Sequence, residues 1–131
     1  MQSLSMRILN EEYGVCRLKP DSEVPTWARN GAFTSITRAA DELSIVCLEK
    51  NIPEEITCER NWKIIKIEGP LDFTMIGVLA RISMILAKEK ISIFVISTFD
   101  TDYILVKEKD LSLTKITLTK DGYKLQNSSN E

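Results

Sequence analysis

Two short stretches and one isolated hydroxyl hold most of the chemistry in this sequence. The first stretch is Leu71-Asp-Phe-Thr-Met-Ile-Gly-Val78, which leads into a run with helical spacing. A helix start exposes unpaired backbone N–H groups and a partial positive charge, and so suits an anion. Gly77 stands where a helix favours alanine by about 1 kcal/mol, a cost that makes sense where a ligand or another backbone comes close. The competing reading is that Gly77 only permits tight packing and that Asp72 is a turn residue. The second stretch is Ser97-Thr-Phe-Asp-Thr-Asp102. Its two carboxylates, Asp100 and Asp102, can bind an ammonium, a guanidinium or another cation. As a calcium loop it supplies too few ligands. As a solvated hairpin turn it is ordinary, since Asp and Thr favour turns. The hydroxyl is Ser44, in Glu42-Leu-Ser-Ile-Val46. On an otherwise apolar strand it needs a partner if buried, either a ligand or a cross-strand group.

Other chemistry is excluded by what is missing. The chain has no histidine, so no Ser-His-Asp or Cys-His nucleophile pair and no HExxH zinc site can form. GxGxxG and Walker A motifs are absent as well. No catalytic residue, metal ligand set or cofactor is expected. The three cysteines, Cys16, Cys47 and Cys58, lack CxxC spacing and read as buried free thiols in a reducing compartment. Seventeen basic and 19 acidic residues leave a net charge of −2 with no basic stripe, which disfavours nucleic acid and anionic membrane as partners. No apolar run is long enough to span a bilayer or to serve as a signal peptide, and the cytoplasm is the expected location.

The elements that position these residues follow from periodicity. Trp62–Ile67 reads as a strand, stopped by Gly69-Pro70. In the helix that follows, Ile76, Leu79, Ile82, Ile85 and Leu86 share one face, with Arg81, Lys88 and Lys90 largely opposite. Ile91–Ser97 and Tyr103–Val106 are strands joined by the acidic turn. Leu111–Thr119 combines a plausible N-cap at Asp110 and a C′ glycine at Gly122 with threonines and partial alternation that suit a strand. Tyr123–Leu125 closes the half, and 126–131 reads as a frayed polar tail. In the first half, Tyr13–Leu18 is a strand, 21–30 leaves space for a turn or two of helix, and Trp27 packs as a lid over the sheet. Phe33–Arg38 and Leu43–Leu48 form a hairpin around Ala39-Ala-Asp-Glu42. Ser5–Leu9 is either a short edge strand or a lead-in. The two hairpins with acidic turns repeat at an offset of about 60 residues, which calls for paired units. Pro53–Glu59 is the connector between them.

The Gly77-Val-Leu-Ala80 helix start, the passage Leu86-Ala-Lys-Glu-Lys-Ile-Ser-Ile93 and Ile96-Ser-Thr98 resemble an ACT domain, a small regulatory module of amino-acid metabolism. Ser97–Val106 with Asp41–Val46 is similar to small tandem-ACT proteins related to aspartate-kinase regulatory domains and cytosolic arginine sensors. The resemblance spans roughly residues 12 to 125. It implies an α+β fold of two ferredoxin-like βαββαβ units, the first abbreviated, with 1–58 as the N-terminal unit, 59–126 as the C-terminal unit and 127–131 as a flexible tail. It also implies helix for Leu111–Thr119. In such domains the loop before the helix receives an amino acid, often across a subunit or domain interface. Asp72 would meet the α-amino group and the amides near Gly77 and Val78 the carboxylate. Thr98, Phe99, Asp100 and Asp102 would recognise the side chain, and Ser44 would line the pocket. The implied protein is a non-catalytic amino-acid-binding regulator, a homodimer read by a partner protein. The alternatives are a ligand-free structural or oligomerisation module and a small enzyme. Acylphosphatase-like hydrolysis needs a loop arginine that 71–75 lacks, and RNA binding needs more than Tyr103 on a basic face.

Overall fold

The computed structural model describes residues 4–68 and 77–128. In chain order the elements are β1 (Ser5–Ile8), β2 (Tyr13–Leu18), β3 (Ser35–Arg38), β4 (Leu43–Leu48), β5 (Cys58–Ile67), α1 (Val78–Lys88), β6 (Ile93–Ser97), β7 (Asp102–Lys107), α2 (Leu111–Lys120) and β8 (Lys124–Asn127). The fold is α+β, and the chain groups into two compact units, Glu11–Trp62 and Met1–Asn10 with Lys63–Asn130. Strand β5 passes from one into the other.

In the unit Glu11–Trp62 the strand order is β3-β4-β2-β5, antiparallel throughout. One face of the sheet is apolar. Cys16, Leu43, Ile45 and Cys47 are buried there with Ala28 and Ile52, and Trp27 packs against them as expected. Tyr13 and Phe33 meet edge-to-face at 6.3 Å between ring centroids, a favoured aromatic geometry. Where a full βαββαβ unit would place helices, this unit has only single 3₁₀ turns, Thr26–Ala28 and Glu49–Asn51. The β4–β5 connection, residues 49–57, is too short for a helix of normal length and carries Pro53. The longer β2–β3 connection is interrupted by Pro20 and Pro25. The abbreviation of this unit has that cause. The β2–β5 register shifts between Tyr13 and Val15, a bulge accommodated by Asn61 at φ 66°. The Asn61 N–H is held by Glu49 Oε1 at 2.6 Å.

The second unit has the order β8-β1-β5-β7-β6. Residues 1–10, expected in the N-terminal unit, group here because β1 is laddered on both sides. It runs antiparallel to β5, with Met6 opposite Ile67, and parallel to β8, with Met6 opposite Leu125. It is therefore an interior strand, neither an edge nor a lead-in. Met6 and Ile8 are buried, and between them Arg7 pairs with Glu68 at 2.6 Å. The core of this unit gathers Met6, Ile65, Ile67, Ile104 and Val106 from the sheet and Ile82, Leu86 and Leu118 from the helices. On α1 the expected face is the buried one, although Ile76 lies outside the described residues. Leu111–Lys120 is helical. Thr114 is fully buried there because its hydroxyl donates to the Asp110 carbonyl one turn back, at 2.8 Å, which satisfies it without a strand partner. Gly122, at φ 99°, ends the helix in the left-handed conformation, and the Tyr123 N–H returns to the Leu118 carbonyl at 3.1 Å. Gln126 and Asn127, read from sequence as tail, continue β8 because Arg7 and Ile8 of β1 stand beside them. Residues 129–131 lie outside the described residues.

Candidate functional site

Helix α1 starts at Val78 with Gly77 as its N-cap. Gly77 has φ 85°, and among the described residues a Cβ added there would meet nothing within 4 Å. The sequence reading placed this glycine inside the helix, where it would admit a close neighbour. Its actual requirement is the left-handed backbone angle, which side chains disfavour. The first intrahelical bond runs from the Arg81 N–H to the Gly77 carbonyl, at 2.9 Å. The N–H groups of Val78, Leu79 and Ala80 precede that bond and form the positive end of the helix. Val78 is half-buried against the core. Asp72 and the rest of 69–76 lie outside the described residues.

The turn between β6 and β7 is closed by the pair Ser97–Asp102. Thr98 binds the Thr101 carbonyl twice, through its N–H at 2.9 Å and its hydroxyl at 3.0 Å. The Thr101 hydroxyl turns inward and donates to the Ile67 carbonyl at 2.6 Å. Thr101 was missed by sequence reasoning, which weighed the acidic residues of the turn. The available signal was two threonines three apart, a spacing that lets one hydroxyl bridge a turn. The crest of the turn is open, with Phe99 84% exposed and Asp100 beside it also exposed. Asp102 is half-buried and shares the strand face of Ile104 and Val106, the face that packs against the helices. The two carboxylates are therefore not a pair. One stands at the crest, the other at the end of the helix-covered face.

The connectivity brings two of the three candidates to one end of the second unit. Strand β5 ends at Ile67 and α1 runs back along the sheet, so β6 starts at the far end. The β6–β7 turn then returns to where β5 finishes, as the Thr101–Ile67 bond records. Gly77, Val78, Thr98, Phe99, Asp100 and Asp102 thus belong to a single end of this unit. One turn into α1, Arg81 forks onto the Asp121 carboxylate at the end of α2, at 3.1 and 3.2 Å. Those hydrogen bonds, with the carboxylate's charge, push the guanidinium pKa up. Ser44 belongs to the other unit. It lies opposite Arg17 on β2 and Thr37 on β3, half-buried, on the sheet face away from Leu43, Ile45 and Cys47.

The hairpins of the two units are built alike. Each has four residues between its closing pair, Arg38–Leu43 in one and Ser97–Asp102 in the other. Aligned by their closing pairs the hairpins are offset by 59 residues, so Ser44 corresponds to Tyr103 and Leu43 to Asp102, in keeping with the offset of about 60 read from sequence. All three cysteines are free thiols, Cys16 and Cys47 buried and Cys58 half-buried. Among the described residues, no cluster of His, Cys, Asp or Glu is placed to hold a metal ion, and no helix is long and apolar enough to cross a membrane.

The ACT domain family model matches residues 57–120, and a model of an N-terminal domain matches residues 11–55. A solved structure of an Agrobacterium tumefaciens protein is similar over the whole chain, with 38% identity, coverage of 100% of this chain and 98% of that one, and a TM-score of 0.92. Residues 57–120 belong to the ACT-domain family. The fold of the chain is shared with Escherichia coli aspartokinase III, solved with aspartate and ADP, at 10% identity and a TM-score of 0.62. The similarity covers 90% of this chain and 32% of that enzyme. A putative C-terminal regulatory domain of aspartate kinase from Porphyromonas gingivalis is similar over 93% of this chain and 97% of its own, at 16% identity and a TM-score of 0.56. No curated protein sequence matches the chain. Family and fold together support a regulatory role.

Proposed function

We propose that this protein is a non-catalytic regulator that binds a free amino acid at the end of the second unit where α1 begins. The observation that carries the reading is the convergence there of a helix N-terminus with the acidic β6–β7 turn, locked to β5 by Thr101. An amino acid is a zwitterion, and this end offers complementary groups for both charges. The amides at Val78 and beyond take the carboxylate and Asp72 the α-ammonium. Asp102 joins Asp72 there, because its half-buried place at the end of the helix-covered face moves it from the side-chain role that the resemblance implied. Thr98, Phe99 and Asp100 meet the side chain, and an exposed carboxylate at that position favours a basic one. Binding stabilises one conformation, and a second copy of the chain or a partner protein reads it. Three free thiols suit a reducing compartment such as the cytoplasm.

The test is a thermal-shift screen of the purified chain against the twenty amino acids, with nucleotides as controls. A ligand at a hundred times its Kd adds about 2.7 kcal/mol, a shift of several degrees. One amino acid, or one chemical group of them, should raise the midpoint, and Gly77→Leu and Asp102→Ala should abolish the rise. If no amino acid moves the midpoint, the chain is a structural module and the reading fails.

A further inference from the structure

The unit Glu11–Trp62 holds a cluster of thiols that plays no part in the proposed amino-acid site. Cys16 on β2 stands directly opposite Cys58 on β5, with their sulfurs 3.5 Å apart. The neighbouring Arg17 N–H donates to the Thr57 carbonyl at 3.0 Å, which makes 17 and 57 a hydrogen-bonded pair. Pairs alternate along an antiparallel ladder, so 16 and 58 form a non-hydrogen-bonded pair. Such pairs bring Cα atoms to about 4.5 Å, inside the range a disulfide bridges. Gly14 adds to the arrangement. A Cβ there would lie 2.7 Å from the Cys58 sulfur, so the missing side chain gives that sulfur its seat against β2. Cys16 is 2% exposed while Cys58 is only half-buried, so a reagent from solvent meets Cys58 first. Cys47 on β4 is fully buried. A hydrogen bond from Cys16 pulls its pKa down, but reagents cannot reach it.

We propose that Cys16 and Cys58 are an oxidative modification site, joined into a cross-strand disulfide by exchange with a low-molecular-weight disulfide. In the first step the Cys58 thiolate attacks one sulfur of the reagent, breaking its S–S bond and releasing one small thiolate. In the second, Cys16 gives its proton to that thiolate and attacks the Cys58 sulfur, expelling the other small thiolate. The protein loses two protons and two electrons, and the reagent's disulfide becomes two thiols. Burial pushes the Cys58 thiol up to about 12. A hydrogen bond with Cys47, together with burial, pushes the Cys16 thiol up as well. Both steps are therefore slow at neutral pH, and the exchange quickens about tenfold per pH unit as the thiolate fraction grows.

The experiment treats the full chain with oxidised glutathione at pH 8 and pH 9, alkylates the remaining thiols after denaturation, and maps peptides by mass. The expected product is a monomer lighter by two hydrogens with Cys16 linked to Cys58 and Cys47 alkylated, formed about tenfold faster at pH 9. Cys16→Ser should stop at a glutathione adduct on Cys58, and Cys47→Ser should leave the link unchanged. A link through Cys47, a link between chains, or a lasting Cys58 adduct in the unsubstituted protein would overturn the proposal, as would no reaction at either pH. Because the unsubstituted chain is itself informative, misfolding of a variant does not blunt the test.

Discussion

The Thr101 hydroxyl donates a 2.6 Å hydrogen bond to the carbonyl of Ile67, 34 residues away, with Thr101 only 4% exposed. The bond joins the last residue of β5 to the β6–β7 turn. Position 101 therefore fixes the turn relative to the point where the chain leaves the sheet for α1. Thr101→Val keeps the shape and leaves the Ile67 carbonyl without that donor. The loss of a buried partner costs about 1–3 kcal/mol. In urea unfolding the midpoint should fall while the m-value stays constant. An unchanged midpoint would show that the turn is held without Thr101.

Gly77 separates two kinds of glycine requirement. None of the described residues lies within 4 Å of an added Cβ, so alanine and leucine should destabilise equally, because the backbone angle is what is penalised. The cost is about 1–2 kcal/mol for either. If glycine were there for packing, leucine would be far worse than alanine. Chemical denaturation of both variants distinguishes the two, and amino-acid titration of the same proteins separates lost stability from lost binding.

Asp100 and Asp102 sit in different surroundings and should behave differently in binding. Asp102, half-buried on the helix-covered face, is assigned to the ammonium that all amino acids share. Asp102→Asn is expected to weaken every responsive amino acid tenfold or more, since a charge-assisted hydrogen bond contributes about 1.5–3 kcal/mol. Asp100 is exposed at the crest, so Asp100→Asn should weaken basic amino acids alone, and by less than about 1 kcal/mol. Calorimetric titration with one basic and one neutral amino acid compares the two. Equal effects of both variants on both ligands would remove the distinction.

The legible parts of this chain were those with strong local patterns. The α1 face from Leu79 to Leu86, the β3–β4 hairpin and the β6–β7 hairpin all follow from periodicity and turn chemistry. Strand β1 was not legible. Four residues are too few for alternation to register, and its partners are β5, some 60 residues on, and β8, near the end of the chain. Its interior place follows from long-range pairing that local sequence does not encode. The same holds for the Cys16–Cys58 approach, which depends on a bulge at Asn61 that sets the β2–β5 register. In α2, threonine propensity argued for a strand and was overridden because Thr114 bonds back to Asp110 while Leu118 fills the core. Within the candidate site, the acidic residues drew attention by their chemistry, whereas Thr101 matters through a contact distant in sequence.

The Cys58 thiol also makes a prediction about alkaline stability. Its pKa rises from 9.0 to about 12, first because burial disfavours the thiolate and then through its hydrogen bond and proximity to Cys16. Below pH 9 the thiol is protonated in both folded and unfolded chains, and the full stabilisation is present. Between pH 9 and about 12 the unfolded chain releases the proton while the folded chain retains it, so stability falls as pH rises. Cys58 is partly open to solvent, and its contribution at pH 10 is under about 1 kcal/mol. Unfolding free energies measured from pH 8 to pH 10.5 under reducing conditions should slope downward more steeply for the unsubstituted chain than for Cys58→Ala. Parallel slopes would mean that Cys58 ionises as freely in the folded chain as in the unfolded one.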